Sequence, residues 1–160
     1  MRTVLDSSVI LDVVTDAPDW ADASEAALVG AMQQGGLVIG ECVLAEITPA
    51  LEAADLDRFL AEWNISYIPT SYQGAIDAGK MYASYLGRGG VKKRVLPDFL
   101  IGAHAMENGG RLLARDRGYY RDYFDGLQVI EPLSRCVISR FKVHHLFANQ
   151  SAPPGMVLTD

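Results

Sequence analysis

The chain has 160 residues but only two cysteines, Cys42 and Cys136, which lie far apart and in no metal-ligand spacing. That scarcity excludes a disulfide scaffold and a zinc knuckle, and it points to a reducing, cytoplasmic setting. No apolar run reaches the ~18–20 residues a membrane helix needs, and the opening Met1-Arg2-Thr3-Val4-Leu5-Asp6 is not a signal peptide. The combination of low hydrophobicity and high charge is also missing, which excludes disorder for most of the chain. Neither G-x-x-x-x-G-K-[ST] nor G-x-G-x-x-G follows the first apolar run; Asp6-Ser7-Ser8-Val9 stands there instead. Histidine is scarce as well. His104 falls in the middle of a helical stretch and His144 and His145 near the end, so no histidine sits where a Ser–His–Asp triad needs one.

What is present is ordinary globular composition, 49% hydrophobic and 21% charged, in a length that suits one domain with a sizeable core. The net charge of −6 hides an asymmetry. Residues 1–62 carry twelve acids and only Arg2 and Arg58 as bases, a net of −10. Residues 80–121 carry nine bases and three acids, a net of +6, with Arg88, Lys92, Lys93, Arg94, Arg115 and Arg117 among them. A basic segment inside an acidic chain is compatible with a nucleic-acid partner and equally with a solvated face.

Short apolar, β-branched runs at 3–5, 37–39, 65–68, 112–114 and 127–130 read as five strands. Helical spacing fills the intervals at 9–14, 20–34, 42–53 with a kink at Pro49, 55–63 capped by Asp55, 72–86, 98–107 behind Pro97, and 119–124. Alternating strands and helices imply an α/β fold, a five-stranded parallel sheet covered on both faces. The pattern is complete at Pro132, so residues 1–132 are expected to form the domain. Residues 133–160 have no clean period and end in Ser151, Pro153-Pro154 and Gly155. They read as a poorly ordered appendage.

In an open parallel sheet, ligands gather at the carboxyl ends of the strands. Asp6 ends the first strand, Asp116 follows the fourth, and Asp98 opens the helix leading into the fourth. Glu46 lies one helical turn after Cys42, in the helix after the second strand. Each has a plain structural role open to it: the aspartates as helix caps or first-turn acids, Glu46 as a solvated helix position. Together they repel one another and require arginines or a cation. Oxygen donors without a His/Cys cluster suit Mg²⁺ or Mn²⁺ rather than zinc. Cys42, at an apolar helix start, reads as a buried thiol, and Tyr119, Tyr120, Tyr123 and Phe124 read as packing residues.

Four segments, Val4-Leu5-Asp6-Ser7-Ser8-Val9-Ile10-Leu11-Asp12, Cys42-Val43-Leu44-Ala45-Glu46-Ile47, Leu96-Pro97-Asp98-Phe99-Leu100-Ile101-Gly102-Ala103-His104-Ala105 and Arg111-Leu112-Leu113-Ala114-Arg115-Asp116-Arg117-Gly118-Tyr119-Tyr120-Arg121, resemble the PIN domain. Within that family they are similar to the VapC-type toxin ribonucleases of bacterial toxin–antitoxin pairs. The resemblance covers residues 1–132 and implies a three-layer α/β/α fold and a Mg²⁺- or Mn²⁺-dependent endoribonuclease. It implies an RNA substrate, a cognate antitoxin, a homodimer and no membrane. Asp6, Glu46, Asp98 and Asp116 match the family's acids, with Asp6, Asp98 and Asp116 as metal ligands and Ser8 in support. Arg88, Lys92, Lys93, Arg94, Arg115 and Arg117 would contact RNA phosphates. One departure is Ala114, where relatives often carry Thr or Ser. Two other readings compete: a non-catalytic PIN-like regulatory module, which retention of all four acids disfavours, and a different Rossmann-like phosphohydrolase. A phosphatase of the haloacid-dehalogenase type needs a second Asp two residues after the first, where this chain has Ser8.

Overall fold

A computed structural model describes residues 1–90, 95–115 and 119–133. Five strands, β1 (Arg2–Leu5), β2 (Gly36–Ile39), β3 (Ile65–Tyr67), β4 (Arg111–Leu113) and β5 (Gln128–Ile130), form one parallel sheet in the order β3-β2-β1-β4-β5. Its register places Val4 opposite Val38 on one side and opposite Leu112 on the other. The three inner strands are buried on both faces apart from the first residues of β1 and β2, while the edge strands β3 and β5 are partly exposed. That is why the inner runs are continuously apolar rather than alternating.

Helices α1 (Ser7–Val14), α2 (Ala21–Gln34), α3 (Glu41–Ile47), α4 (Ala53–Glu62), α5 (Tyr72–Gly87), α6 (Leu96–Glu107) and α7 (Tyr119–Tyr123) complete the three-layer α/β/α fold. Among the described residues no helix is long and apolar enough to cross a membrane. Every expected strand and helix is present, with two corrections. The helix expected over 42–53 ends at Ile47, where a 3₁₀ turn, Thr48–Ala50, takes over at Pro49. Proline supplies no backbone donor and crowds the preceding turn, so a regular helix does not continue through it. The next helix therefore starts earlier, with Glu52 at the N-cap; Asp55 lies in its first turn and binds Arg58 Nη2 at 2.6 Å instead of capping.

The core centres on Val4, Leu5, Ile10, Leu28, Leu37, Ile39, Ile47, Phe99, Leu112 and Leu113. Helix α6 is buried almost all round, and it packs on β1, β4, α3 and α5. Gly102 is what lets α7 close on it, because a Cβ at that position would lie 2.4 Å from the Phe124 ring. Phe99 gathers Tyr82, Tyr85, Tyr123 and Phe124 around it with ring centroids 5.4–6.2 Å apart, so Tyr123 and Phe124 pack as expected. The appendage expected over 133–160 lies, apart from Leu133, outside the described residues.

Candidate active site

The strand order runs outward from β1 in both directions, to β2 on one side and to β4 on the other. Connections leaving β1 and β4 therefore diverge, and in open α/β sheets ligands bind beyond the carboxyl ends of the strands at such a point. Asp6 stands at that point. It is the N-cap of α1, accepting from Ser8 N at 3.0 Å, and is only 8% exposed. Its Oδ2 also accepts from Ser8 Oγ, and its Oδ1 accepts from the Tyr120 hydroxyl at 3.0 Å. The capping role open to Asp6 is thus filled, and the carboxylate is pinned through both oxygens. An ionised carboxylate offers about four acceptor positions. With two taken on Oδ2 and one on Oδ1, an acceptor position remains on Oδ1.

Glu46 is exposed on α3 and reaches the first turn of α1, where Ser7 Oγ donates to its Oε2 at 2.5 Å. Adjacent serines therefore hold two different acids, Ser8 holding Asp6 and Ser7 holding Glu46. Asp98 is half-buried in the first turn of α6. The N-cap there is Val95, with no side-chain capping bond, so Asp98 is a first-turn acid and not the cap. Helix α6 packs against both β1 and α3, the elements adjoining Asp6 and carrying Glu46. Among the described residues no group of three or more His, Cys, Asp or Glu side chains is gathered to hold a metal ion. Asp116, the remaining expected acid, lies outside the described residues. The donors that are present, carboxylate and hydroxyl oxygens with a spare acceptor position on Asp6, fit a hard divalent cation.

Ser8 links the start of α1 to the residues after β4. Its hydroxyl donates to Asp6 and accepts from Arg115 N at 3.3 Å. Ala114 is fully buried, and its N–H donates to Ile130 O at 3.1 Å, continuing the β4–β5 pairing. Of the basic residues, Arg88 lies with its guanidinium 5.1 Å from the Tyr123 ring centroid. Arg115 turns inward to Asp12, 3.3 Å from its Oδ2, and over Trp20. Lys92, Lys93, Arg94 and Arg117 lie outside the described residues.

Four contributors escaped the sequence reading: Ser7, Tyr120, Asp12 and Trp20. Tyr120 has the strongest claim, since it was assigned to packing; it is 4% exposed and packs as expected, yet its hydroxyl also reaches Asp6. A buried tyrosine needs a partner for its O–H, but the sequence does not show which acceptor the fold supplies. Cys42 is half-buried, and burial, reinforced by Glu41 and Glu46, pushes its thiol up from the ordinary value, which keeps it a poor nucleophile.

His104 is 1% exposed, with Nε2 2.8 Å from Ile68 O, so it is a core histidine and not part of the site. Burial holds its pKa below the ordinary 6.5, against the opposing effects of the Ile68 bond, Glu41 and Glu107. The native state therefore resists a proton that the unfolded chain accepts below pH 6.5. Stability conferred by neutral His104 is complete above pH 6.5 and is lost as pH falls below it, until the native pKa is reached. Urea unfolding at pH 7.5 and 5.5 should show a drop in wild type that His104→Gln reduces. Equal drops in both would exclude His104 as the source.

A family model of the PIN domain matches residues 3–124. Solved structures similar to this chain include VapBC2 from Rickettsia felis bound to a DNA fragment from its promoter, at 18% identity and a TM-score of 0.64, covering 82% of this chain and 98% of that one. DNA-bound VapBC from Salmonella typhimurium is similar at 15% identity and a TM-score of 0.64, over 83% of this chain and 99% of that one. FitAcB from Neisseria gonorrhoeae matches at 18% identity and a TM-score of 0.60, over 81% and 97%. At such identities the likeness is one of fold. No curated protein matches the sequence.

Proposed function

This chain belongs to the PIN domain family, and on that footing we propose that it is the toxin of a toxin–antitoxin pair, a divalent-metal-dependent endoribonuclease. The observation that carries the reading is the pinned Asp6 carboxylate at the end of β1, the strand that pairs with β4, with Glu46 tethered one residue away. Asp6, Asp98 and Asp116 would hold Mg²⁺ or Mn²⁺. When bound, the cation supplies Lewis-acid polarisation of a phosphate oxygen and a lowered pKa for bound water.

The chain's own residues prepare that chemistry. Ser8 and Tyr120 fix Asp6 through both oxygens, so its remaining acceptor position points in one direction before any ligand arrives. Glu46, exposed and oriented by Ser7, positions the attacking water or helps hold a second ion. Attack at phosphorus with departure of the 3′ oxygen leaves 5′-phosphate and 3′-hydroxyl ends. Backbone phosphates would be held by Arg88, Lys92, Lys93, Arg94 and Arg117, which position RNA without reading its sequence. The partner that restrains the activity would be a cognate antitoxin protein.

The test is cleavage of total RNA by the purified chain with Mg²⁺, with Mn²⁺ and with a chelator, mapping the ends produced. Metal-dependent 5′-phosphate ends support the reading; release of inorganic phosphate from monoesters without RNA scission would replace it with a phosphatase. Binding makes a separate prediction. Replacing Lys92, Lys93 and Arg94 together by Ala should reduce the slope of log affinity against log salt by about 2 on single-stranded RNA, with affinity falling for all sequences alike. An unchanged slope would return these residues to a solvated face.

A further inference from the structure

Helix α1 buries a second carboxylate, and it neither caps a helix nor lies at the strand edge. Asp12 is 3% exposed; Ser24 Oγ donates to its Oδ2 at 2.7 Å, and Arg115 Nε lies 3.3 Å from the same oxygen. The Nε–H is not aligned for a hydrogen bond, so the two charges meet as an ion pair. A buried carboxylate is costly to keep, and a well-packed apolar pair of similar volume would hold the fold as firmly. What an apolar pair would not do is fix the direction of Arg115. Its guanidinium contacts Asp12 through Nε and lies over the Trp20 ring, 5.1 Å from its centroid.

The backbone of the same residue touches the site. Its N–H donates to Ser8 Oγ at 3.3 Å, and Ser8 Oγ donates to Asp6 Oδ2. A continuous line therefore runs from Asp12 through Arg115 and Ser8 to Asp6. Tyr120, five residues beyond Arg115, holds the other oxygen of the same carboxylate.

We propose that Asp12 and Arg115 are a positioning pair, whose ion pair sets the Ser8–Asp6 contact for divalent-cation binding and, through it, for RNA cleavage. The consequence for cleavage rests on the nuclease reading above; the consequence for cation binding does not. Arg115 then acts through its backbone and not as a phosphate contact.

The full-length chain with Asp12→Asn, with Arg115→Met and with both changes tests this. Four quantities are read: kcat and KM on a fluorogenic single-stranded RNA, Mn²⁺ affinity by calorimetry, and metal-free thermal unfolding. Each single change should lower kcat about 10- to 100-fold and weaken Mn²⁺ binding about tenfold, with KM nearly constant. The double variant should be no worse than the worse single one, because the pair acts as a unit. Variants that melt earlier but keep kcat and Mn²⁺ affinity would overturn the proposal and leave the pair purely structural. A rise in KM at constant kcat would overturn it in favour of a phosphate contact, and additive losses would overturn it in favour of independent roles. If wild type binds Mn²⁺ without cleaving RNA, the nuclease reading fails and the Mn²⁺ affinities alone decide. Should Asp12→Asn fail to fold, Arg115→Met decides, since that side chain is already one-third exposed.

Discussion

Asp98→Asn is expected to reduce RNA cleavage by about 100-fold or more while leaving the metal-free fold intact. As a metal ligand Asp98 needs its negative charge; as a first-turn helix residue it needs only to be compatible with the N-terminus of α6. The cap of that helix is Val95, so the substitution removes no capping bond. Part of what it removes is a favourable charge near the helix dipole, worth about 0.3–1 kcal/mol. Mg²⁺ at about 100 times its Kd should stabilise wild type by about 2.7 kcal/mol. For a chain of this size that is a rise in Tm of about 5–10 °C, and the variant should show much less of it. Cleavage by Asp98→Asn at close to the wild-type rate would reduce Asp98 to a first-turn acid and remove it from the site.

Asp6 should serve both stability and cleavage, and two substitutions tell the roles apart. Asp6→Ala deletes the cap of α1 together with the bonds from Ser8 Oγ and Tyr120. The expected loss is about 3 kcal/mol, or about 6–12 °C in metal-free Tm. Asp6→Asn should cost much less. The amide oxygen can still accept from Ser8 N–H and Oγ–H, and the NH₂ can face Tyr120, whose hydroxyl is able to turn and accept. Cleavage should nonetheless collapse in both variants, since neither retains the charge. Thermal unfolding in chelator beside a cleavage assay reads the two effects apart. An active Asp6→Asn would sink the assignment of Asp6 to the metal site, and an Asp6→Ala of wild-type Tm would refute the cap.

Much of this could be read along the chain. The inner strands are short, continuous apolar runs because they are covered on both faces, and the helices between them carry their own stops, such as Gly35 after α2 and Asn108 after α6. Pro49 and Asp55 show where local reading fell short. Both were recognised as punctuation, but whether a proline kinks a helix or ends it depends on what the following residues pack against. Asp55, with Arg58 one turn away, had a better partner than the orphan N–H groups of the helix start.

The sequence by itself determined the element order, the parallel sheet, and the placing of Asp6 immediately after the first strand, because periodicity and helix-start chemistry are local and act within a few residues. Only the tertiary structure decided which groups are hydrogen-bonded to one another at the site. Ser7 meets Glu46 across 39 residues, Arg115 meets Ser8 across 107, and Tyr120 meets Asp6 across 114. Those meetings follow from β4 pairing with β1, Leu113 opposite Leu5, which brings the residues after both strands to one edge. Strand order is set by how the helices share the two faces of the sheet, a property of the whole packed core that no short window of sequence contains.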